Sequence, residues 1–548
     1  MRPKERRNSG QNDLFRARLD QIVDMGHALA KLGQVIDWRF LEERFGAVYT
    51  DKAGHPPLPT RLMAGLAILK HMHNLSDEEL CARWVENPYY QLFCGEEFFQ
   101  HKPTFDRSSL TRWRQRMSEE KLVALIQESL STATRTGAAK PSDFSKVIVD
   151  TTVQPKAVAF PTDAKLMHRA RERLVRLAKK TGVELRQSYE RVGKRALIAH
   201  QRHAHAKQFK RANRALKTLR TYLGRVIRDI GRKIKGEAEL ESVFGHPLML
   251  ARRVREQRQH QRERKVYSLH APEVECIGKG KAHRPYEFGV KVSIATTLHR
   301  SKGGQFIAHA KALPGNPYDG HTLAGVIPDM ESQLGANLTR IVADRGYRGH
   351  NAPPDHKFKV YVSGQRRRVT ETIKRELRRR SAVEPVIGHT KTDHRMDRNH
   401  LAGTQGDAAN AVLAAAGYNF RPLLEWLRLL LCLILAALEA RTRQSDLYPR
   451  QRMSAFFTED SVVSLTMPLT APLYNNFTTT LLSLFVSIKS ITRVLSRFRL
   501  RPRINRPDHT IVISVPTSTT NKSTGSVFAA RRTEAVCCGV SNKNSGRS

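Results

Sequence analysis

The chain is 548 residues long, enough for two to four domains and a sizeable core. Its 94 Lys plus Arg against 51 Asp plus Glu leave a formal net charge of +43, which calls for a polyanionic partner, most simply nucleic acid or an anionic membrane. Six scattered cysteines form no C-x-x-C pair, which argues against a zinc ribbon, a zinc finger or a disulfide framework and fits a reduced, cytosolic setting.

The N-terminus, "MRPKERRNSGQNDLF", lacks the apolar core of a signal peptide. Residues 1–140 read as a helical N-terminal domain. "PTRLMAGLAILKHMHNL" has apolar residues at helical spacing. Ser76 and Glu79 stand in capping-box spacing, and Asp106 or Ser108 suits the cap of a later helix that carries Arg112, Arg114 and Arg116. Three short helices there suit either a DNA-binding helix-turn-helix or a small scaffold bundle.

"SKVIVDTT" (145–152) is a β-branched run and predicts a strand that ends at Asp150. Between Lys165 and Lys265 there are 30 Lys plus Arg against 9 Asp plus Glu, mostly in helical rhythm, with Leu216, Leu219, Leu223 and Ile227 on one face. So lopsided a charge predicts contact with a phosphate backbone. Strands follow at "YEFGVKVSIATT" and "GQFIAHAKAL", a helix near "DGHTLAGVIPDMESQLG", and strands at "LTRIVAD" and "FKVYVSG". From about Glu371 to the early 440s the pattern is helical. The apolar run Leu429 to Leu438 is half the roughly 20 residues that a spanning helix needs, so it reads as a buried helix. After Asp460 only Asp508 and Glu534 are acidic, and residues 446–548 are expected to be poorly ordered.

Three carboxylates are placed to do chemistry. Asp150 and Asp344 each follow a short apolar strand, and neighbouring strands would bring both to one sheet edge, where α/β proteins place their ligands. Glu384 lies at the start of a predicted helix in "RRRSAVEPVIGHTK". Paired carboxylates bind magnesium, and two ions roughly 4 Å apart can activate the attacking oxygen and stabilise the leaving oxygen of a phosphodiester. Each acid also has a plainer role. Asp150 can begin a turn, Asp344 can cap the bend at Gly346, and Ser381 and Glu384 have capping-box spacing. On a continuous helix Arg380, Glu384 and Lys391 share a face, so both bases would flank the acid and hold phosphate; a cap at Ser381 weakens that picture. Arg345 and Arg348 follow Asp344 as candidate DNA contacts or plain surface charges.

"VIVDTT", "IVADRGYRGH" and "EPVIGHTKTDHRMDRNHLAGTQGDAANAVLAAAGYNF" resemble the transposases of the bacterial insertion-sequence-five family, a branch of the DDE transposases. "RLMAGLAILKHMHNLSDEELCARWVENPYYQLFCG", "FPTDAKLMHRARERL", "YSLHAPEVECIGKGKAHRPYEFGVKVS" and "ALPGNPYDGHTL" extend the likeness over roughly residues 15–445. The resemblance implies an α/β protein with an RNase H-like catalytic core (141–445), a helical N-terminal domain, and a basic helical insertion (about 163–265) after the first core strand. It implies that Asp150, Asp344 and Glu384 are the catalytic and metal-binding triad. Two divalent ions, magnesium or alternatively manganese, would be the cofactor. Arg380 and Lys391 match the basic positions of the related Y-x-x-R-x-x-x-E-x-x-x-x-x-x-K signature; its tyrosine position is Leu377 here.

The implied partners are the element's terminal inverted repeats, target DNA and further copies of the chain, at least a dimer on DNA. No membrane is implied, and the setting would be the bacterial nucleoid. The implied reaction is hydrolysis that frees a 3′-hydroxyl at each element end, followed by its attack on target DNA. The alternatives are a nuclease without strand transfer and an inactive remnant that only binds DNA. "MSAFFTED" (453–460) resembles the place where such proteins stop, so the last 88 residues read as read-through or a fusion.

Overall fold

The computed structural model describes residues 17–49, 57–258, 261, 265–278 and 285–446, with side chains described to residue 432. Six strands among them form one sheet: β1 (Lys146–Pro155), β2 (Glu275–Gly278), β3 (Tyr286–Thr297), β4 (Ile307–Leu313), β5 (Arg340–Ala343) and β6 (Val360–Val362). β1 pairs antiparallel with β3 and parallel with β5, and β5 pairs parallel with β6. β2 and β4 both pair antiparallel with β3.

β1 is apolar because both of its faces are covered. Val147, Ile148, Val149 and Val153 are all fully buried. On one face, Val147 and Val149 join Ile341, Ala343 and the helix Leu323–Leu334. On the other, Ile148 and Val342 pack against Val383, with Leu377 and Ile387 partly buried beside them.

The strand does not stop at Asp150. It runs five residues further, because Thr151, Thr152 and Val153 are β-branched and continue the pairing with β3 instead of turning. β2, which the sequence did not suggest, is four residues long and carries no clear alternation.

The helical stretch after Glu371 is broken. Glu371–Arg378 leads through a 3-10 turn, Arg379–Ala382, into Val383–Thr392. A non-helical stretch with Arg395 at φ 66° then precedes Gly403–Asp446. Leu423, Leu424 and Leu427 of that last helix are buried, but Leu429 is 58% exposed, so the apolar run does not begin as a buried helix face. No helix among the described residues is long and apolar enough to cross a membrane. The predicted tail after residue 446 lies outside the described residues.

The N-terminal helices share one apolar core with the sheet and the last helix. Leu62, Leu66, Trp84 and Leu125 cluster with Ile294, Ile307, Val412 and Phe420. Ser76 and Glu79 form the expected capping box, and Asp106 caps Arg107–Arg116. Arg114 does not belong to an open basic face: it is buried and donates to both oxygens of Asp77. Arg107 likewise pairs with Glu78.

Between β1 and β2 lie four helices, Asp163–Lys180, Glu190–His205, Phe209–Lys233 and Ala238–Glu256. They bury an apolar core of their own, in which Leu174, Leu219, Leu223, Ile230 and Phe244 meet. Leu216 is only partly buried. Just past β1, buried Lys156 joins Glu273 and Asp407 of the last helix, each at 2.8 Å.

Candidate active site

The register of β1 and β5 brings two of the singled-out acids together. Ile148 pairs with Val342 and Val149 with Ala343, so the next residues in line are Asp150 and Asp344. Side chains alternate along a strand. Ile148 and Val342 face Val383, so Asp150 and Asp344, two residues on, fall on that same face. Val383 opens the helix whose next residue is Glu384. The third acid therefore arrives over the sheet edge where the other two emerge.

Arg380 spans the gap. Its Nη1 is 3.7 Å from Asp150 Oδ2, and its Nη2 donates to Glu384 Oε1 at 3.0 Å. The 3-10 turn Arg379–Ala382 continues into the Glu384 helix, which is what lets residue 380 reach residue 384. Ser381 makes no cap, so the capping-box alternative for Glu384 is overturned: the helix start at Ala382 already has helical backbone and no side chain accepts there. Lys391 sits seven residues on, on the Glu384 face of the same helix.

Asp344 keeps its plainer role as well. Its Oδ1 accepts from the Gly346 amide at 2.7 Å and caps the turn Arg345–Tyr347, which leaves Oδ2 for other partners. A Cβ at Gly346 would lie 3.0 Å from that oxygen and 3.2 Å from Asp319 Oδ2, so the turn has little room for a side chain. Arg345 and Arg348 both extend over Gly364, just after β6. A Cβ there would stand 3.2 Å from Arg345 Nε and 3.6 Å from Arg348 Nη2.

Burial dominates the electrostatics of Asp150. It pushes the carboxyl up to about 6, and the neighbouring Asp344 and Asp319 push the same way. The Thr151 amide, which donates to Oδ1 at 2.8 Å, and Arg380 pull the other way without cancelling the rise. Tyr347 is fully buried in the Asp344 turn. Burial and then the charges of Asp150, Asp319 and Asp344 hold its phenol well above the usual range.

Asp319 was missed in the sequence. Its Oδ1 accepts from Thr151 Oγ1 at 2.9 Å and from Lys291 Nζ at 3.0 Å. It therefore ties β1, β3 and the Asp344 turn to one another. It opens the short 3-10 turn Asp319–His321 between β4 and the following helix, where no strand or cap pattern marks it, and Thr151 and Lys291, both remote in sequence, reveal its use.

Hard oxygen donors of this kind suit magnesium or manganese. As placed, no three His, Cys, Asp or Glu side chains among the described residues converge as a metal-holding group. The Arg380 guanidinium occupies the interval between Asp150 and Glu384 and pairs with both, offsetting part of their charge.

Two family descriptions match the chain. "Transposase domain (DUF772)" covers residues 17–116, and "Transposase DDE domain" covers residues 348–424. The chain belongs to the DDE transposases. It is also 53% identical over 209 residues to a Rhizobium meliloti protein named "Uncharacterized protein ORF8 in nfe locus", an overlap that takes in 38% of this chain and all of that protein. No solved structure matches the transposase. The DDE match includes Arg348, Arg380, Glu384 and Lys391; Asp150 and Asp344 lie outside it, aligned with each other by strand register and linked to the Glu384 helix through Val383 and Arg380.

If Asp150 and Asp344 hold metal and Asp319 braces them, Asp319→Ala weakens manganese binding about 10- to 100-fold, the usual cost of losing a group that orients metal ligands. Asp319→Asn keeps most of the affinity, because its amide oxygen accepts the same two bonds. Calorimetric titration with manganese checks both. Equal affinities for wild type and the alanine variant would leave Asp319 with no such role.

Proposed function

We propose that this transposase cuts DNA at the ends of an insertion sequence and joins the freed 3′-hydroxyl to target DNA, with Asp150, Asp344 and Glu384 as the metal-binding catalytic acids. The observation that carries the reading is the β1–β5 register, which ends at Val149 and Ala343 with Asp150 and Asp344 next in line, beside the helix that bears Glu384. Membership of the insertion-sequence-five family rests on the motifs quoted above. The sheet order β4-β3-β1-β5-β6, antiparallel on one side of β1 and parallel on the other, supports an RNase H-like core.

Magnesium or manganese ions, when bound, supply the charge that activates a water or a 3′-hydroxyl and stabilises the leaving oxygen. Asp150, Asp344 and Glu384 would hold them. Arg380, which now spans Asp150 and Glu384, would then be available to a DNA phosphate. Lys391 and Arg348 extend the same basic margin. Asp150 must lose its proton to act as a ligand. With its carboxyl raised to about 6, manganese affinity falls about tenfold per pH unit below 6 and levels off above it. Titration calorimetry from pH 5 to pH 8 checks this; a flat profile would separate Asp150 from the metal.

The four helices between β1 and β2 support DNA as the partner. On the helix Phe209–Lys233, Lys210, Arg214, Lys217, Arg225 and Arg228 lie exposed along one side. Ala212, Leu219, Leu223, Val226 and Ile230 are buried along the other. Lys210, Arg214, Lys217 and Arg228 pair with no carboxylate among the described residues. The stripe runs about 27 Å, most of one turn of duplex.

The test is product analysis with full-length protein, paired element ends, target DNA and magnesium. Joined products are expected, formed on an assembly of at least two copies. Cut ends without joining would indicate a nuclease. Bound but uncut DNA would indicate an inactive remnant.

A further inference from the structure

We infer that the cleft between the end of β1 and the first helix of the basic segment holds an unpaired nucleotide of the DNA. The cleft measures about 490 Å³. One wall is the helix Asp163–Lys180, which presents Lys165, Arg169, Arg173 and Arg176 at helical spacing on a single face. Phe160 and Tyr267 line it as well.

Its chemistry is that of a nucleotide. Arg169 and Arg176 are exposed and pair with no carboxylate among the described residues, so they are available to a phosphate. Arg173 spends one nitrogen on the Leu269 carbonyl at 2.8 Å. The acid in the cleft, Glu172, is already engaged by His168 at 3.1 Å and Arg171 at 3.7 Å. Phe160 is 63% exposed, although it stands perpendicular to Phe288 with ring centroids 5.4 Å apart. A large ring left open to water beside unpaired guanidinium groups matches a base with its phosphate, since bases stack on aromatic faces and phosphates take arginine.

Size selects the state of the DNA. The volume equals a cube about 8 Å on a side, within the range of small-ligand pockets. A duplex is too broad for it, its major groove alone being about 12 Å wide. Position selects the source. The cleft residue Val158 stands eight residues after Asp150, at most about 26 Å along the chain. A strand unpaired at the acids therefore has the cleft within reach.

The inference rests on the DNA reading above, and the experiment separates the two. Full-length protein is titrated into a blunt duplex and into the same duplex with a four-nucleotide overhang carrying 2-aminopurine. Wild type is expected to prefer the overhang and to quench its fluorescence. Phe160→Ala should lose the quenching and weaken overhang binding roughly 5- to 150-fold, the range for one stacked base, with blunt-duplex affinity unchanged. Phe160→Trp should restore both. Arg169→Gln with Arg176→Gln should lower the salt slope for the overhang by about 1.4. Quenching that survives in Phe160→Ala overturns the inference, as does an equal loss on the blunt duplex. Wild type that binds both DNAs equally overturns it and leaves the DNA reading standing. Wild type that binds neither overturns both.

Discussion

Asp150→Asn abolishes DNA cleavage, lowering the rate about 10³-fold or more, while duplex binding and the fold persist. On the proposed role of Asp150 as a metal ligand, the magnitude follows from several kcal/mol of transition-state charge stabilisation lost with its oxygen. The fold persists because asparagine fills the same space between Ile148 and Thr152 and keeps an oxygen for the Thr151 amide. Stability moves in a definite direction. The folded carboxyl titrates near 6, above its unfolded value, so its contribution is fully present below about 4 and is lost as pH rises through 6. At pH 7.5 the wild type without metal carries a buried anion, its side chain only 18% exposed. The variant removes that anion, so at pH 7.5 it is more stable than wild type by roughly 1–3 kcal/mol and melts at a higher temperature. At pH 4 the two melt alike. Cleavage of a labelled element end, filter binding and melts at both pH values check the three parts. Parallel loss of cleavage and binding would indicate misfolding and remove the support for a catalytic Asp150.

Lys156→Met destabilises the protein by about 3–5 kcal/mol. The ammonium is 3% exposed and sits 2.8 Å from both Glu273 and Asp407. Without it two buried carboxylates face each other, and Asp407, already raised by burial, must take up a proton or draw in water. Asn399 donates to Asp407 but cannot replace a charge. Adding Glu273→Gln and Asp407→Asn to Lys156→Met recovers much of the loss, because a fully neutral cluster no longer holds an unpaired ion. Urea unfolding of the single and triple variants measures both. A single variant as stable as wild type would mean that the cluster does not tie β1 to the last helix. That tie matters to the site, since Lys156 follows the strand that carries Asp150.

Strand positions were legible where apolar, β-branched runs exist. "YEFGVKVSIATT" is β3 residue for residue, and "LTRIVAD" contains β5 with Asp344 just beyond it. The end of β1 was not legible, since threonines after an aspartate suit a turn as well as a strand. The pairing of β1 with β5 was not legible either, because partner choice is set by distant segments and not by either run alone. Ser381 and Glu384 show how spacing misleads: the capping-box pattern is present, but the preceding turn is already helical and leaves no cap to make. Arg114 looked like part of a basic face until its partner Asp77, 37 residues away, came into contact. Asp319 escaped for the same reason, since Thr151 and Lys291 define its role and both are remote in sequence.

The most direct measurement is the anomalous diffraction signal of manganese in crystals of the full-length protein. Peaks are expected between Asp150 and Asp344, with Glu384 turned toward them and the Arg380 guanidinium withdrawn. Saturating manganese that gives no peak at these carboxylates, with Arg380 still lodged between Asp150 and Glu384, would contradict this.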